Sequence, residues 1–440
     1  MIEEDNNKGI VFQIARELPS QQKVSLQFAN LRLHAWGVFS NVYRGTLVLS
    51  NNKEREIAIK KTWPENGDRN FEIRFLSGIK RKPHKNVIQM LYTFSRNTPT
   101  QSGCQTKNSF CESYVFAFLP HTLQSLLKKS RLTEIEMKVY TWQLFEGLRY
   151  LQAHMIAHRD IKPVNLLVDP QNGLLVIGDF GNAKVVQRDS FSNAYQVTRF
   201  YRPPELLLGA REYYWMVDVW SAGCCVAEMM TGKVLFQGAT TREMLKLIVQ
   251  AIGLPSKRDH DYMKAIYFID PASDVKFLGL KDVMGEINPD WVIFLSEILR
   301  YRPRERLHGP KLLSHRFFDQ ILTADCALST GLSVTKIITP DDYRIAIRND
   351  CTGGREFASA ELKKQIRFTD NVVAPTATAA HPAHKDTGTI QHVPTPTTAT
   401  AVHKDVPIPK IPSADNQHTL ASPNALLSPT VAGKKSAVPV

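Results

Sequence analysis

The stretch AHRDIKPVNLLVD, residues 157–169, sets Asp160, Lys162 and Asn165 between apolar flanks. LLVIGDFGNAK (174–184) and YQVTRFYRPPELLLG (195–209) follow it at short range. Far upstream stand AIK at 58–60 and LRLHAWGVFSNVYRG at 31–45, the latter a glycine-bearing loop between apolar runs. One such string occurs by chance; five in a fixed chain order do not.

Outward from these strings, the chain changes character near its first quarter. Residues 24–62 are strand-rich and end in REIAIKKT, where Ile57 and Ile59 alternate with small or charged neighbours. A short helix is expected between Pro64 and Pro83, with Glu72, Leu76 and Ile79 on one face. NVIQMLYTF and SYVFAFL suggest two more strands. After Pro120 the pattern turns helical. In TEIEMKVYTWQLFEGLRYLQAH, Thr133 and Glu136 form a capping box, and Met137, Tyr140, Leu144, Leu148 and Leu151 continue at helical spacing, so a long buried helix is expected. The fold class is therefore α+β in two lobes, a small β-rich one and a larger helical one.

Composition bounds the rest. The 440 residues include 43% hydrophobic and 22% charged side chains, an ordinary globular balance. Six cysteines form no C-x-x-C pair and no Cys/His metal spacing, which predicts reduced thiols and no structural zinc. The acidic start MIEEDNNKGI is unlike a signal peptide, and no apolar run approaches the ~18 residues of a membrane helix. The protein is expected in the cytoplasm, the nucleus or both, off the membrane. A net charge of +13 falls in clusters such as KRKPHK (80–85), KKSR (128–131) and RYRPRER (300–306). No groove-reading motif accompanies them, so nucleic acid is not the expected partner. Residues 371–440 hold ten prolines and no aromatic residue, which predicts a disordered tail.

Taken together, the five strings resemble the eukaryotic protein kinase family over roughly residues 28–320. The resemblance implies the bilobal kinase fold and divides the chain into an N-terminal extension (1–22), N-lobe and hinge (23–119), C-lobe (120–322), a C-terminal extension of uncertain structure (323–370) and the tail (371–440). It implies ATP and Mg²⁺ as cofactors and protein Ser/Thr groups as acceptors. Phosphoryl transfer needs positioning and charge neutralisation more than covalent help. By resemblance Lys60 holds the nucleotide phosphates and Glu72 pairs with it. Asp160 orients the attacking hydroxyl, Lys162 lies near the transferred group, and Asn165 and Asp179 hold the metal. His158, Phe180, Leu76 and Asp218 match an internal packing column, and Glu205 is expected to pair with Arg306. An ordinary surface glutamate at 72, or polar residues that merely knit a loop, is the alternative.

The nucleotide pocket is assigned by the same resemblance to Ala35, Gly37, Ser40, Val42, Ala58, Phe116, Ala117, Leu119 and Leu167. Glycine serves such a loop by close backbone approach and by freedom at positive φ. Ala35 and Ser40 stand where the family has glycine, so weakened nucleotide handling is expected. Aligned on Pro120, Phe116 is the gatekeeper, and Ala117 and Leu119 supply the adenine contacts. A one-residue slip around the NTPTQSGCQTKNSFCE insertion is the other alignment.

Within the family, the chain is similar to the CMGC group and most to its glycogen synthase kinase-3 branch, on HRDIKPVNLLVDP, GDFGNAK, Tyr195 before Thr198, and TTREMLKLIVQAIGLPS at 240–256. That implies a phosphorylated Tyr195 with Arg199 and Arg202 as partners, against an unmodified, packed tyrosine. It also implies a pocket for a phosphate already on the substrate. Arg159 and Lys184 fill two of its three basic positions; Phe71 occupies the third and cannot make charge-assisted bonds to phosphate. An active monomeric Ser/Thr kinase is expected. The competing reading is a feeble kinase-fold scaffold that binds protein partners through residues 240–256.

Overall fold

The computed structural model describes residues 4–5, 9–37, 40–49, 53–63, 71–97, 110–186, 197–269 and 275–348. All of them lie in the first of two compact units, residues 1–375.

Seven strands make the N-terminal sheet: β1 (Glu4–Asp5), β2 (Ile10–Glu17), β3 (Lys23–Trp36), β4 (Ser40–Val48), β5 (Glu54–Thr62), and, after helix α1 (Phe71–Arg81), β6 (Met90–Asn97) and β7 (Phe110–Ala117). Their order is β1-β2-β3-β4-β5-β7-β6, and β2 also meets β6 through Arg16 opposite Thr93 and Glu17 opposite Tyr92. Residues 1–22, set apart as an extension in the sequence, thus contribute two strands, β1 and β2, to the sheet of the lobe. Alternation explains the pairing: Leu26, Phe28, Leu47, Ile57, Ile59 and Val115 point inward and form a small core.

β3 does not run straight. Its register against β4 slips between Ala29 and Arg32, where Asn30 adopts φ 55°. Asparagine tolerates this left-handed geometry, which is that of a bulge. The displaced chain crosses Gly45, where a Cβ would lie 2.6 Å from Leu31 Cδ2 and 3.0 Å from the Ala29 carbonyl oxygen. Gly45 is therefore required for β3 to bend and carry residues 35–37 on to the loop.

The C-terminal lobe begins with β8 (His121–Thr122), α2 (Leu123–Lys129) and α3 (Glu134–Ala153). Thr133 and Glu136 cap α3 reciprocally, as their spacing predicts. α3 is buried nearly all round, including Lys138, Gln143 and Glu146. Gln143 shows how a buried amide is tolerated. Its oxygen accepts from Asn86 Nδ2 (2.8 Å) and Leu175 N–H (3.1 Å), and its nitrogen donates to the carbonyls of Gly173 (2.8 Å) and Val139 (3.3 Å). Every hydrogen-bonding position of that amide is used.

Four short strands follow: β9 (Ile156–Ala157), β10 (Leu166–Asp169), β11 (Leu174–Ile177) and β12 (Lys184–Val185), with β8-β10-β11 and β9-β12 antiparallel. The remaining helices are α4 (Pro204–Leu207), α5 (Met216–Thr231), α6 (Thr241–Ile252), α7 (Lys257–Met263), α8 (Leu280–Met284), α9 (Pro289–Ile298), α10 (Gly309–Leu313), α11 (Val334–Ile337) and α12 (Pro340–Ile347). They share one large core, to which α1 adds Leu76 and Ile79. The part of 323–370 that is described packs on that core through Val334, Ile337, Tyr343 and Ala346. The predicted tail, 371–440, lies outside the described residues. No helix among the described residues is long and apolar enough to cross a membrane.

Candidate active site

Lys60, on β5, is held from both lobes. Its Nζ donates to Glu72 at 2.9 and 2.8 Å and to Asp179 Oδ1 at 2.8 Å. Glu72 is 2% exposed, with Leu76 and Ile79 buried on the same face of α1. The Glu72 carboxylate also accepts from Phe180 N–H at 3.2 Å. Burial alone would lower the Lys60 pKa, yet the two carboxylates outweigh it and hold the ammonium above its ordinary range. For Glu72 burial dominates and pushes the carboxyl up against the pull of Lys60. Asp179 is also pushed up by desolvation, but Lys60 prevails and keeps it below the usual carboxylate range.

Asp160 is fixed at both oxygens. Oδ1 accepts from the Thr198 hydroxyl (2.7 Å); Oδ2 accepts from Asn165 Nδ2 (3.0 Å) and pairs with Lys162 Nζ (2.8 Å). Lys162 donates in turn to Thr198 Oγ1 at 3.0 Å. Beneath them, Asp218 at the start of α5 accepts from the backbone N–H groups of His158 (2.7 Å) and Arg159 (2.8 Å). His158 Nε2–H donates to the Gly178 carbonyl at 2.8 Å, and its ring meets Phe180 edge-on at 4.9 Å. Arg159 and Asp179 take positive φ, 64° and 56°. Such backbone is costly for non-glycine residues and is held here by these hydrogen bonds.

The metal assignment can be tested on these donors. Asn165 spends its amide nitrogen on Asp160, at 2.8 Å to the carbonyl and 3.0 Å to Oδ2. That orients its oxygen as the remaining donor. Gly178 N–H bonds the Asn165 carbonyl at 2.9 Å, which brings residue 179 beside it. No group of three His, Cys, Asp or Glu suited to a metal occurs among the described residues. One carboxylate and one amide oxygen suit Mg²⁺, which keeps waters and substrate phosphates as its other ligands; they would not suit zinc.

The pattern of the protein kinase domain matches residues 35–318 of this chain. The chain belongs to the protein kinase family. Among its curated relatives are Protein kinase MCK1 of Saccharomyces cerevisiae, 32% identical over 279 residues, 60% of this chain and 71% of that protein. Serine/threonine-protein kinase RIM11/MSD1 of the same yeast is 31% identical over 328 residues, 72% and 84% of the two chains. Protein kinase gsk3 of Schizosaccharomyces pombe is 30% identical over 321 residues, 71% and 79%. The protein is a serine/threonine kinase of the glycogen synthase kinase-3 type, and its domain is one that uses ATP and Mg²⁺ in general.

At the two ends of the kinase's glycine-bearing loop, Gly37 N–H donates to the Ser40 carbonyl at 2.8 Å, and Ala35 pairs with Val42. Gly37 is not left-handed, and among the described residues a Cβ there would meet the Ser40 carbonyl alone, at 3.6 Å. Conformational freedom, one of the two reasons for expecting glycine, thus does not apply at this position; close approach by a ligand remains. Trp36 beside it is 79% exposed. Val42 stands opposite Lys60, and Ala58 opposite the buried Phe116. Phe118 N–H donates to the Glu56 carbonyl. The alternation of an antiparallel ladder therefore turns the backbone groups of Ala117 and Leu119 away from β5. Leu167, on β10, packs against Gly178.

In the activation segment, Tyr195 lies outside the described residues. Arg199 donates to the Ala239 carbonyl, and the buried Arg202 donates to the Val197 carbonyl at 3.2 and 2.9 Å. Arg159 Nε donates to the Asn182 carbonyl at 2.7 Å, and Lys184 pairs with Ala157, so the β9-β12 ribbon sets the two basic residues on adjoining chains. Of Phe71 only the backbone is described. Glu205 and Arg306, both buried, pair at 2.7 and 2.6 Å.

Several residues that organise this site gave no sequence signal. Asn86 bonds Gln143 and the Leu175 carbonyl, and Ile88 N–H and the Asn86 carbonyl bond Ile177, which fastens the α1–β6 loop to the C-terminal lobe. Their partners are dozens of residues away, and no local pattern encodes them.

Proposed function

We propose that the chain transfers the γ-phosphate of MgATP to Ser/Thr hydroxyls of protein substrates, with a weakened preference for substrates already phosphorylated nearby. The observation that carries the first part is Asp160, whose two oxygens are fixed by Thr198, Asn165 and Lys162. A carboxylate so oriented aligns an incoming hydroxyl and takes up its proton as the oxygen attacks phosphorus. Lys162, 2.8 Å from Asp160, offers positive charge where the transferred group passes. Lys60, kept charged by Glu72 and Asp179, binds the nucleotide phosphates. Asn165 and Asp179 would hold Mg²⁺, which supplies charge neutralisation on the phosphates when bound.

The second part rests on Phe71, where the branch carries an arginine. Arg159 and Lys184 alone leave the phosphate pocket one cation short. This reading favours a soluble monomer of the cytoplasm or nucleus acting on protein partners. In the competing reading, a scaffold acting through residues 240–256, α6 has already buried Met244, Ile248 and Val249 against the core, so partners would meet its polar side.

The test is transfer of labelled phosphate to matched primed and unprimed serine peptides, with Asp179→Asn as control. Transfer that the control abolishes, with little difference between peptides, is the expected result, and Phe71→Arg should raise the primed-to-unprimed ratio. No transfer by folded chain favours the scaffold. A large advantage for the primed peptide in the natural sequence overturns the altered pocket.

A further inference from the structure

The α1–β6 loop is also held from beyond the matched kinase domain. Lys85 Nζ donates to the carbonyl of Ile337, the last residue of α11, at 2.7 Å, and pairs with the carboxylate of Asp342 in α12. Asp342 is the reciprocal cap of α12: the same Oδ2 accepts from Thr339 N–H (2.8 Å) and the Thr339 hydroxyl (2.7 Å). One ammonium therefore satisfies the end of one helix and the capping carboxylate of the next, where a cation at a helix C-terminus is favourable. Burial would push the Asp342 carboxyl up, but Lys85 and Thr339 outweigh it and hold it below the usual carboxylate range.

The segment that Lys85 grips is firmly seated. Ile337, Tyr343 and Ala346 belong to the large core. Ile337 and Leu328 close over Gly173, which adopts φ +59° and where a Cβ would lie 2.4 Å from Ile337 Cδ1. On its other side Lys85 follows α1, which ends at Arg81 and carries Glu72 to Lys60. Asn86 and His84 tie the same loop to α3, through Gln143 (2.8 Å) and Glu146 (3.3 Å). Lys85 adds a tie to a different body, α11 and α12.

We propose that Lys85 is a positioning residue for phosphoryl transfer: by seating the α1–β6 loop on the α11–α12 segment, it fixes where α1 presents Glu72 to Lys60. Lys85 contacts Ile337 and Asp342 and acts on the reaction only through α1. The inference rests on the roles of Lys60 and Glu72 given above. It makes residues outside the recognisable kinase domain part of what sets the rate.

The test uses the full chain with Lys85→Met, Lys85→Arg and Asp342→Asn. Lys85→Met should lower kcat by about five- to tenfold with the KM for the protein substrate unchanged, Asp342→Asn should do so to a smaller extent, and Lys85→Arg should recover most of the loss. In a Glu72→Gln background, Lys85→Met should cost nothing further. A full loss in that background, or an unchanged kcat in the natural one, overturns the proposal. Backbone hydrogen exchange across Ile73–Ile79 needs no turnover and separates this proposal from the kinase reading. Faster exchange in folded Lys85→Met supports the inference even in an inactive chain; unchanged exchange sinks it. If Lys85→Met fails to fold, Asp342→Asn carries the same two measurements with the Ile337 bond kept.

Discussion

Lys60 and Asp179 stand 119 positions apart in the chain and 2.8 Å apart in space. One is on a strand of the small lobe and the other follows β11 of the large lobe, so their contact bridges the cleft. Glu72 completes the arrangement by bonding both Lys60 and the N–H of Phe180, the residue after Asp179. Three elements distant in the chain are thereby set in one geometry.

Removing the charge of Glu72 should disturb that geometry more than it disturbs folding. Glu72→Gln is expected to lower kcat/KM for ATP by about 10²-fold, the scale of losing one preorganised electrostatic partner. Steady-state kinetics beside a circular-dichroism melt would check it; a loss below threefold would contradict the assignment.

Thr198 offers a finer probe, because its hydroxyl bridges Asp160 and Lys162. Thr198→Val should lower kcat by roughly tenfold, about 1.4 kcal/mol of barrier, and leave the KM for ATP unchanged. Thr198→Ser keeps the hydroxyl and should retain most activity. Equal losses in both variants would mean that the methyl group, not the bridge, matters.

The Glu205–Arg306 pair predicts a stability effect. Breaking it from one side leaves a buried charge, so Arg306→Met should cost about 3–5 kcal/mol. Replacing both, Arg306→Met with Glu205→Leu, should cost less than the single change. Urea unfolding of the two variants decides, and a single variant as stable as the natural chain would refute it.

Two histidines set an acid limit. Burial holds both His308 and His315 below the ordinary imidazole range. The bond to the Arg306 carbonyl opposes this at His308, and Glu297 opposes it at His315. The unfolded chain therefore binds protons first, so stability is intact above the unfolded pKa of about 6.5 and falls as pH drops below it. The melting temperature should decline from pH 6.5 to 5.5, and His315→Gln should flatten the decline. A flat profile in the natural chain would exclude both.

What the sequence made legible was local. The shared face of Glu72, Leu76 and Ile79 follows from helical spacing, and the Thr133–Glu136 cap from a four-residue pattern; both are present. Polar residues in motif order also came together at Asp160, though Thr198 gave no hint that its hydroxyl would sit between Asp160 and Lys162. The bulge at Asn30 was invisible because its cause, a glycine beneath the crossing chain, lies on the next strand. The Lys85–Asp342 tie spans 257 positions, and a lysine in a basic cluster looks the same whether it is solvated or docked. Long-range polar pairs have no periodicity for a reader to detect.

The strand β2 has a practical bearing on how this protein can be cut. The recognisable domain runs from residue 35 to 318, yet β2 and nearly all of β3 precede it, and Leu328 and α11, which close over Gly173, follow it. A fragment trimmed to that match would expose the outer edge of β4 as unpaired backbone, a surface on which chains associate. It would also uncover the surface at Gly173 that Leu328 and Ile337 close over. The smallest piece worth expressing therefore starts by Ile10 and ends no earlier than Ile347.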